Sequence, residues 1–259
     1  MRRATATRYV TPLREGGSLP AIFEADDAGL YVVKFRAAGQ GLKALVAEVI
    51  AGELARAAGL RVPELIAIDV DPALGRNEPD GEIRDLLKGS AGLNLGLDYL
   101  PGSITFDPAC GKALSADEAS SVVWFDAFVT NVDRTPRNTN LLLWHRQLWL
   151  IDHGAALYFH HAWDGREDRS RLAFPLVKDH VLLPWASRLG AATERLAPLL
   201  ANGAIASAVG KLPDAWIEGD PRFGSPAEYR AAYVGHLERR LAAAHLFVEE
   251  AERARSKLV

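Results

Sequence analysis

The run Asn131-Val132-Asp133-Arg134-Thr135-Pro136-Arg137-Asn138-Thr139-Asn140 sets a carboxylate and amides on one polar loop. An apolar stretch then leads to Asp152-His153-Gly154. Phosphoryl transfer calls for this kind of set: a carboxylate that orients the proton of an attacking hydroxyl, and an amide oxygen with a second carboxylate as hard ligands for magnesium. A five-residue Asp to Asn interval also occurs in capped turns, so the pair alone decides little. The order carries more weight, because a helix, a polar loop, an apolar hairpin and an Asp-x-Gly in succession are hard to obtain by accident.

The interval from Asp133 to Asn138 matches that between the catalytic-loop aspartate and asparagine of protein kinases, and Asp152 stands where their Asp-Phe-Gly aspartate would, with His153 replacing the phenylalanine. Lys34 is the next candidate. Within Tyr31-Val32-Val33-Lys34-Phe35, alternation puts Tyr31, Val33 and Phe35 on one face and Val32 with Lys34 on the other. A lysine there is either solvated on an edge strand or a nucleotide-phosphate ligand paired with a glutamate of the following helix. That helix offers Glu48 and Glu53, and helical periodicity slightly favours Glu53, which falls within the arc of Val46, Val49 and Ala57. Upstream, Gly16-Gly17-Ser18 could bring backbone amides and a hydroxyl to phosphates, although any loop can look like this.

Other chemistries lack their parts. There is no Gly-x-x-x-x-Gly-Lys, no Gly-x-Gly-x-x-Gly between a strand and a helix, no Gly-x-Ser-x-Gly and no His-Glu-x-x-His. The single cysteine, Cys110, excludes an internal disulfide and fits a reducing cytoplasm. The start of the chain has two arginines without a following apolar run and does not read as a signal peptide, and no apolar stretch reaches the length of a membrane span. A net charge of −3, from 30 basic and 33 acidic residues, gives no general attraction for nucleic acid.

The elements that must position these groups change character along the chain. With 49% apolar and 24% charged residues the chain can bury a sizeable core. To about residue 100, short β-rich runs dominate: Ala21 to Ala25, Leu30 to Phe35, Leu65 to Val70 and Leu93 to Leu100, with one helix from Lys43 to Ala58 closed by Gly59. Beyond Pro101-Gly102 the pattern is mostly helical. Ser115-Ala116-Asp117-Glu118 is a capping box opening a helix to about Thr130, and Ser225-Pro226-Ala227-Glu228 opens one that extends to Arg255. One hairpin interrupts them, Leu141 to Trp144 and Leu148 to Ile151 around His145-Arg146-Gln147. The stretch Ala155 to Trp163, and Trp124, Trp144 and Trp149, read as packing.

Taken together, Gly16-Gly17-Ser18-Leu19-Pro20, Tyr31 to Phe35, Glu48 ahead of Leu54-Ala55 and Gly59-Leu60-Arg61-Val62-Pro63, Asn131-Val132-Asp133-Arg134-Thr135 with Asn138 and Asn140, and Ile151 to Gly154 resemble the HipA-like kinases, in particular the short branch with only a kinase domain. Lys178-Asp179-His180-Val181-Leu182 adds a weaker resemblance. The resemblance implies an α+β, bilobal protein-kinase-like fold that uses ATP and Mg2+ to phosphorylate a hydroxyl. It also selects Glu48 over Glu53, by its distance ahead of the Gly-Leu-x-Val-Pro segment. Thr135 stands where the family's toxins carry a histidine, and their additional N-terminal region is not found. Both departures count against a toxin role and an antitoxin partner.

The expected arrangement is a β-rich ATP-binding lobe over residues 1–101, a hinge at Asp98-Tyr99-Leu100, and a helical catalytic lobe over residues 102–259, with ATP between them. Gly16, Gly17, Ser18 and the hinge would contact the nucleotide. Lys34 would hold phosphates, Glu48 would position Lys34, Asn138 and Asp152 would bind the metal, and Asp133 would orient the acceptor, a protein Ser or Thr in the first instance. A lipid or small-molecule acceptor, and a pseudokinase that binds nucleotide without transfer, are the alternatives.

Overall fold

In the computed structural model, which describes residues 1–13, 19–163 and 168–258, the alternation around Lys34 becomes the wall of a barrel. Strands β1 (Arg2–Pro12), β2 (Ala21–Ala25), β3 (Leu30–Lys34), β4 (Leu65–Val70) and β5 (Gly92–Asp98) close in the order β1-β2-β3-β5-β4. Neighbours are antiparallel except β1 with β4, whose parallel pairing from Arg2 opposite Ile66 to Thr5 opposite Asp69 completes the ring. Phe23, Tyr31, Val33, Phe35, Ile66 and Ile68 fill its core. Gly96 of β5 is required by close approach, since a Cβ there would lie 2.9 Å from Cγ1 of Ile66.

Two elements of this region are absent from the sequence reading. β1 turns only Ala4 and Ala6 fully inward, so its apolar alternation is faint. Helix α2 (Gly81–Gly89), capped by Asp80, is short and buries only Ile83 and Leu87. Between β3 and β4 runs α1 (Leu42–Ala57), ended by Gly59 at φ +78°. By its contacts the chain divides into two compact units, Met1–Val46 with Pro63–Gly102, and Ala47–Val62 with Ser103–Val259, so α1 contributes to both.

In the second unit α3 (Ala116–Phe128) is capped by Ser115, whose Oγ accepts from Glu118 N–H at 3.1 Å. Every residue from Ala119 to Phe128 is buried, which makes α3 a central helix rather than an amphipathic one. Strands β6 (Ile104–Thr105), β7 (Leu141–Trp144) and β8 (Gln147–Leu150) form a small sheet, and the β7–β8 turn places His145 and Arg146 at φ +49° and +62°, the signature of a two-residue hairpin. Helices α4 (Leu189–Leu200), α5 (Ala204–Gly210), α6 (Asp214–Ile217), α7 (Pro226–Ala242) and α8 (Ala244–Arg255) follow.

The single helix expected to reach Arg255 is two helices, broken at Ala243 with ψ +25°. No breaker marks the site, and packing explains it. Phe247 of α8 meets Trp124 and Phe128 of α3, with centroids 5.4 and 6.3 Å away, whereas Tyr233 of α7 stacks on Tyr229 at 4.7 Å and lies 5.9 Å from Phe159. Local helix propensity yields to these two directions of burial. Among the described residues no helix is long and apolar enough to cross a membrane.

Candidate functional site

Lys34 ends β3, an interior strand between β2 and β5, and is only 9% exposed. The edge-strand alternative therefore does not apply. The chain leaving this strand is pinned by side chains: Arg36 N–H donates to Oδ1 of the buried Asn94 at 2.8 Å, and Ala37 N–H to Ser90 Oγ at 3.3 Å. Asn94 in turn donates to the carbonyls of Ser90 and Gly92. Asp98 ends β5, with Tyr99 and Leu100 next in the chain, and there Asp98 N–H donates to Glu64 O and Tyr99 N–H to Leu30 O, both at 2.9 Å. Burial, aided by Glu64, raises the Asp98 carboxyl above its ordinary value. Gly16, Gly17 and Ser18 lie outside the described residues.

In the second unit Asp133 is met by both asparagines that the sequence singles out. Its Oδ2 accepts from Asn138 Nδ2 at 2.7 Å and from Asn140 Nδ2 at 3.1 Å. Burial, with the nearby Asp152 charge adding to it, raises the Asp133 carboxyl above its usual range against the pull of those amides. The turn is tied by Thr135 N–H to Asn138 O at 3.0 Å and by the reverse bond at 3.1 Å. Asp152 takes φ +54°, an uncommon conformation for a residue that is not glycine.

Glu48 and Glu53 separate clearly. Glu48 is fully buried; its Oε1 accepts from Gly154 N–H at 3.0 Å and its Oε2 lies 3.8 Å from His153 Nδ1. Helix α1 is thereby joined to the corner that carries Asp152. Glu53 instead pairs with Lys211 at 2.6 Å.

A residue that sequence reasoning did not single out, Asp126, holds this loop by gathering Asn131, Arg134 and His180 of the quoted motifs. Asp126, buried on α3, accepts from Arg134 Nε at 2.5 Å, from His180 at 2.9 Å and from Asn131 Nδ2 at 3.0 Å. Leu182 N–H donates to His180 Nδ1 at 3.0 Å, so the ring carries its proton on Nε2 and donates it to Asp126. Burial alone would raise the Asp126 carboxyl, but Arg134 and His180 outweigh it and hold the group well below the carboxylate range. Arg134 Nη1 reaches on to Asn140 O and, at 3.3 Å, to Ile151 O. One guanidinium thus links the residue after Asp133, the second amide and the residue before Asp152. An aspartate inside Val122-Val123-Trp124-Phe125-Asp126-Ala127-Phe128 is the signal that could have found this network.

The donors would suit a hard divalent cation: Asn138 and Asn140 each turn an N–H to Asp133, which leaves an amide oxygen, and Asp152 would add a carboxylate. Among the described residues no group of three or more His, Cys, Asp or Glu could hold a metal ion.

A family model described as HipA-like kinase matches residues 7–248, nearly the whole chain. The chain belongs to the HipA-like kinase family. Its fold is protein-kinase-like, as two kinds of solved structure show. The crystal structure of the Helicobacter pylori proinflammatory kinase CtkA is similar with a TM-score of 0.57 at 12% identity, over 97% of this chain and 98% of that one. The Golgi casein kinase with Mn/ADP bound has a TM-score of 0.56 at 12% identity, over 100% of this chain and 76% of that one. A second structure of the Golgi casein kinase gives 0.54 at 11%, over 98% and 76%. No curated protein sequence matches the chain. At such identities this HipA-like kinase shares architecture with those enzymes, and its site has to be argued from its own residues.

Proposed function

We propose that this HipA-like kinase transfers the γ-phosphoryl group of ATP, with magnesium, to a hydroxyl acceptor, a protein Ser or Thr in the first instance. The observation that carries the reading is the setting of Asp133. Both amide N–H groups converge on Oδ2, and among the described residues Oδ1 receives no side-chain or backbone hydrogen bond. One carboxylate oxygen is locked, and the other faces an incoming hydroxyl and accepts its proton as the acceptor oxygen bonds to the γ-phosphorus and the bond from that phosphorus to the β,γ-bridging oxygen breaks, with ADP leaving. Asn138 and Asp152 would hold the metal, which neutralises phosphate charge when bound. Lys34 would hold phosphates from its strand, Glu48 would position it, Asp98 to Leu100 would contact the nucleotide base, and Gly16, Gly17 and Ser18 would contact its phosphates.

A neighbouring fold solved with Mn/ADP supports nucleotide and divalent-metal use, and a neighbour named for casein supports a protein acceptor. A cytoplasmic setting remains part of this proposal, and the departure at Thr135 counts against an antitoxin partner. The test is turnover of labelled ATP with and without magnesium in the presence of a cell lysate, followed by identification of the labelled species. Magnesium-dependent labelling of serine or threonine is the expected result. Labelled lipid or metabolite would change the acceptor class, and nucleotide binding without any transfer would make the protein a pseudokinase.

A further inference from the structure

The last carbonyls of an α-helix need donors from outside the regular ladder, and at the end of α3 these can be counted. Phe125 O accepts from Val129 N–H and Asp126 O from Asn131 N–H, both at 2.9 Å, and Val129 O accepts from Leu157 N–H at 2.7 Å. The two between them, Ala127 O and Phe128 O, accept from one side chain: Arg240 of α7, through Nη2 and Nε, each at 2.7 Å. The same guanidinium donates through Nη1 to Leu172 O at 2.9 Å and Ser170 O at 3.3 Å. Arg240 is 2% exposed, and among the described residues its hydrogen bonds go only to backbone carbonyls. Burial lowers its pKa to about 10, which leaves it charged at neutral pH against the negative end of the helix.

No glycine ends α3. Thr130 takes φ +51° instead, a conformation that strains a β-branched residue and that persists only where its surroundings enforce it. Its Oγ1 accepts from Tyr158 N–H at 3.2 Å. The next residues are Asn131, Val132 and Asp133. A side chain that merely filled space here would be apolar, since a buried guanidinium is tolerated only when its donors are satisfied.

We infer that Arg240 is a positioning residue: its guanidinium holds the strained junction between α3 and the Asn131–Asn140 loop, together with the Ser170–Leu172 turn, and so sets where Asp133 stands. The functional half rests on the reading of Asp133 as the acceptor-orienting carboxylate. The structural half does not.

The test uses Arg240→Lys, which keeps the charge but cannot span four carbonyls. Its kcat should fall about 100-fold, the scale of a misplaced catalytic group, while KM for ATP stays put. Backbone amides at 129–133 and 170–172 should exchange with deuterium faster, and those of the β1–β5 barrel should not. Adding Thr130→Asn, which accepts the left-handed conformation and keeps a side-chain acceptor, should restore about tenfold of the lost kcat. Uniformly faster exchange, an unchanged kcat, or no rescue by Thr130→Asn would overturn the inference. Should Arg240→Lys not fold, Thr130→Asn alone must slow exchange at 129–133, and faster exchange there refutes the strain on which the inference stands. If the unaltered protein transfers no phosphate, the kinase reading fails, and the exchange pattern alone decides the role of Arg240.

Discussion

In the barrel, Lys34 is placed by register: Leu95 stands opposite it, Val33 and Phe35 point inward on either side, and the surrounding core is apolar. In the helical unit, Asp133 is placed by charged and polar side chains that arrive from distant segments, with Asp126, Arg134 and His180 all buried. A strand needs only its pleat to aim a side chain, because the ladder supplies every backbone hydrogen bond. A ten-residue loop has no such ladder. Its geometry has to be wired by groups whose desolvation is costly and whose loss is therefore felt far beyond one contact.

The greatest effect is expected where chemistry and wiring meet. Asp133→Ala should lower phosphoryl transfer by about 10⁴-fold, the upper end for a positioned acid–base group, while the affinity for magnesium ATP measured by calorimetry stays near that of the unaltered protein. Loss of ATP affinity in the same proportion would assign Asp133 to the nucleotide and not to the acceptor.

Asp126→Asn tests the wiring itself. Removing one charge of a buried, hydrogen-bonded pair costs about 3–5 kcal/mol, and urea unfolding should read a loss of that order together with reduced transfer. The sign with pH follows from the depressed carboxyl of Asp126, which Arg134 and His180 hold down against burial. Its contribution is fully present above the ordinary carboxylate range and is lost as pH falls below that range, because the unfolded chain takes up the proton first. The stability of the unaltered protein should thus drop in acid more steeply than that of Asp126→Asn. Parallel acid profiles would mean that the pair is neutral to stability.

For Lys34 the comparison predicts a loss mainly in chemistry. Lys34→Met keeps the apolar stem, so the urea midpoint should fall by less than in Asp126→Asn, while turnover falls about 100-fold through loss of one cation from the phosphates. A midpoint shift as large as that of Asp126→Asn would show that the barrel, too, depends on buried charge.

This contrast explains which parts of the molecule the sequence discloses. Tyr31 to Lys34, the β7–β8 hairpin and the Ser115 cap are local patterns of period two, turn type and capping, and all three are found in the structure. β1 escaped because its inward residues are alanines, and the break at Ala243 because it answers to Phe247 and Tyr233 rather than to anything nearby in sequence. In the candidate site the polar motif itself is legible. The contacts that support it are not: His180, although part of a quoted motif, reaches Asp126 from 54 residues away and Arg240 reaches Phe128 from 112, and no local pattern announces pairs so far apart.

Glu53 provides the smallest effect. Periodicity puts both glutamates of α1 close to its apolar face, and the structure gives them different company: Glu48 meets Gly154 N–H in the interior, whereas Glu53 pairs with Lys211, whose side chain is 38% exposed. A pair with one partner in water contributes within about 1 kcal/mol and is screened by salt. Glu53→Gln should therefore shift the urea midpoint slightly, less so at high ionic strength, and leave turnover unaltered. Glu48→Gln keeps an amide oxygen for Gly154 but loses a buried charge, so it should cost turnover together with some stability. If Glu53→Gln proves the more damaging to turnover, the helix glutamate has been assigned to the wrong residue, and Glu48 only braces the Asp152 corner.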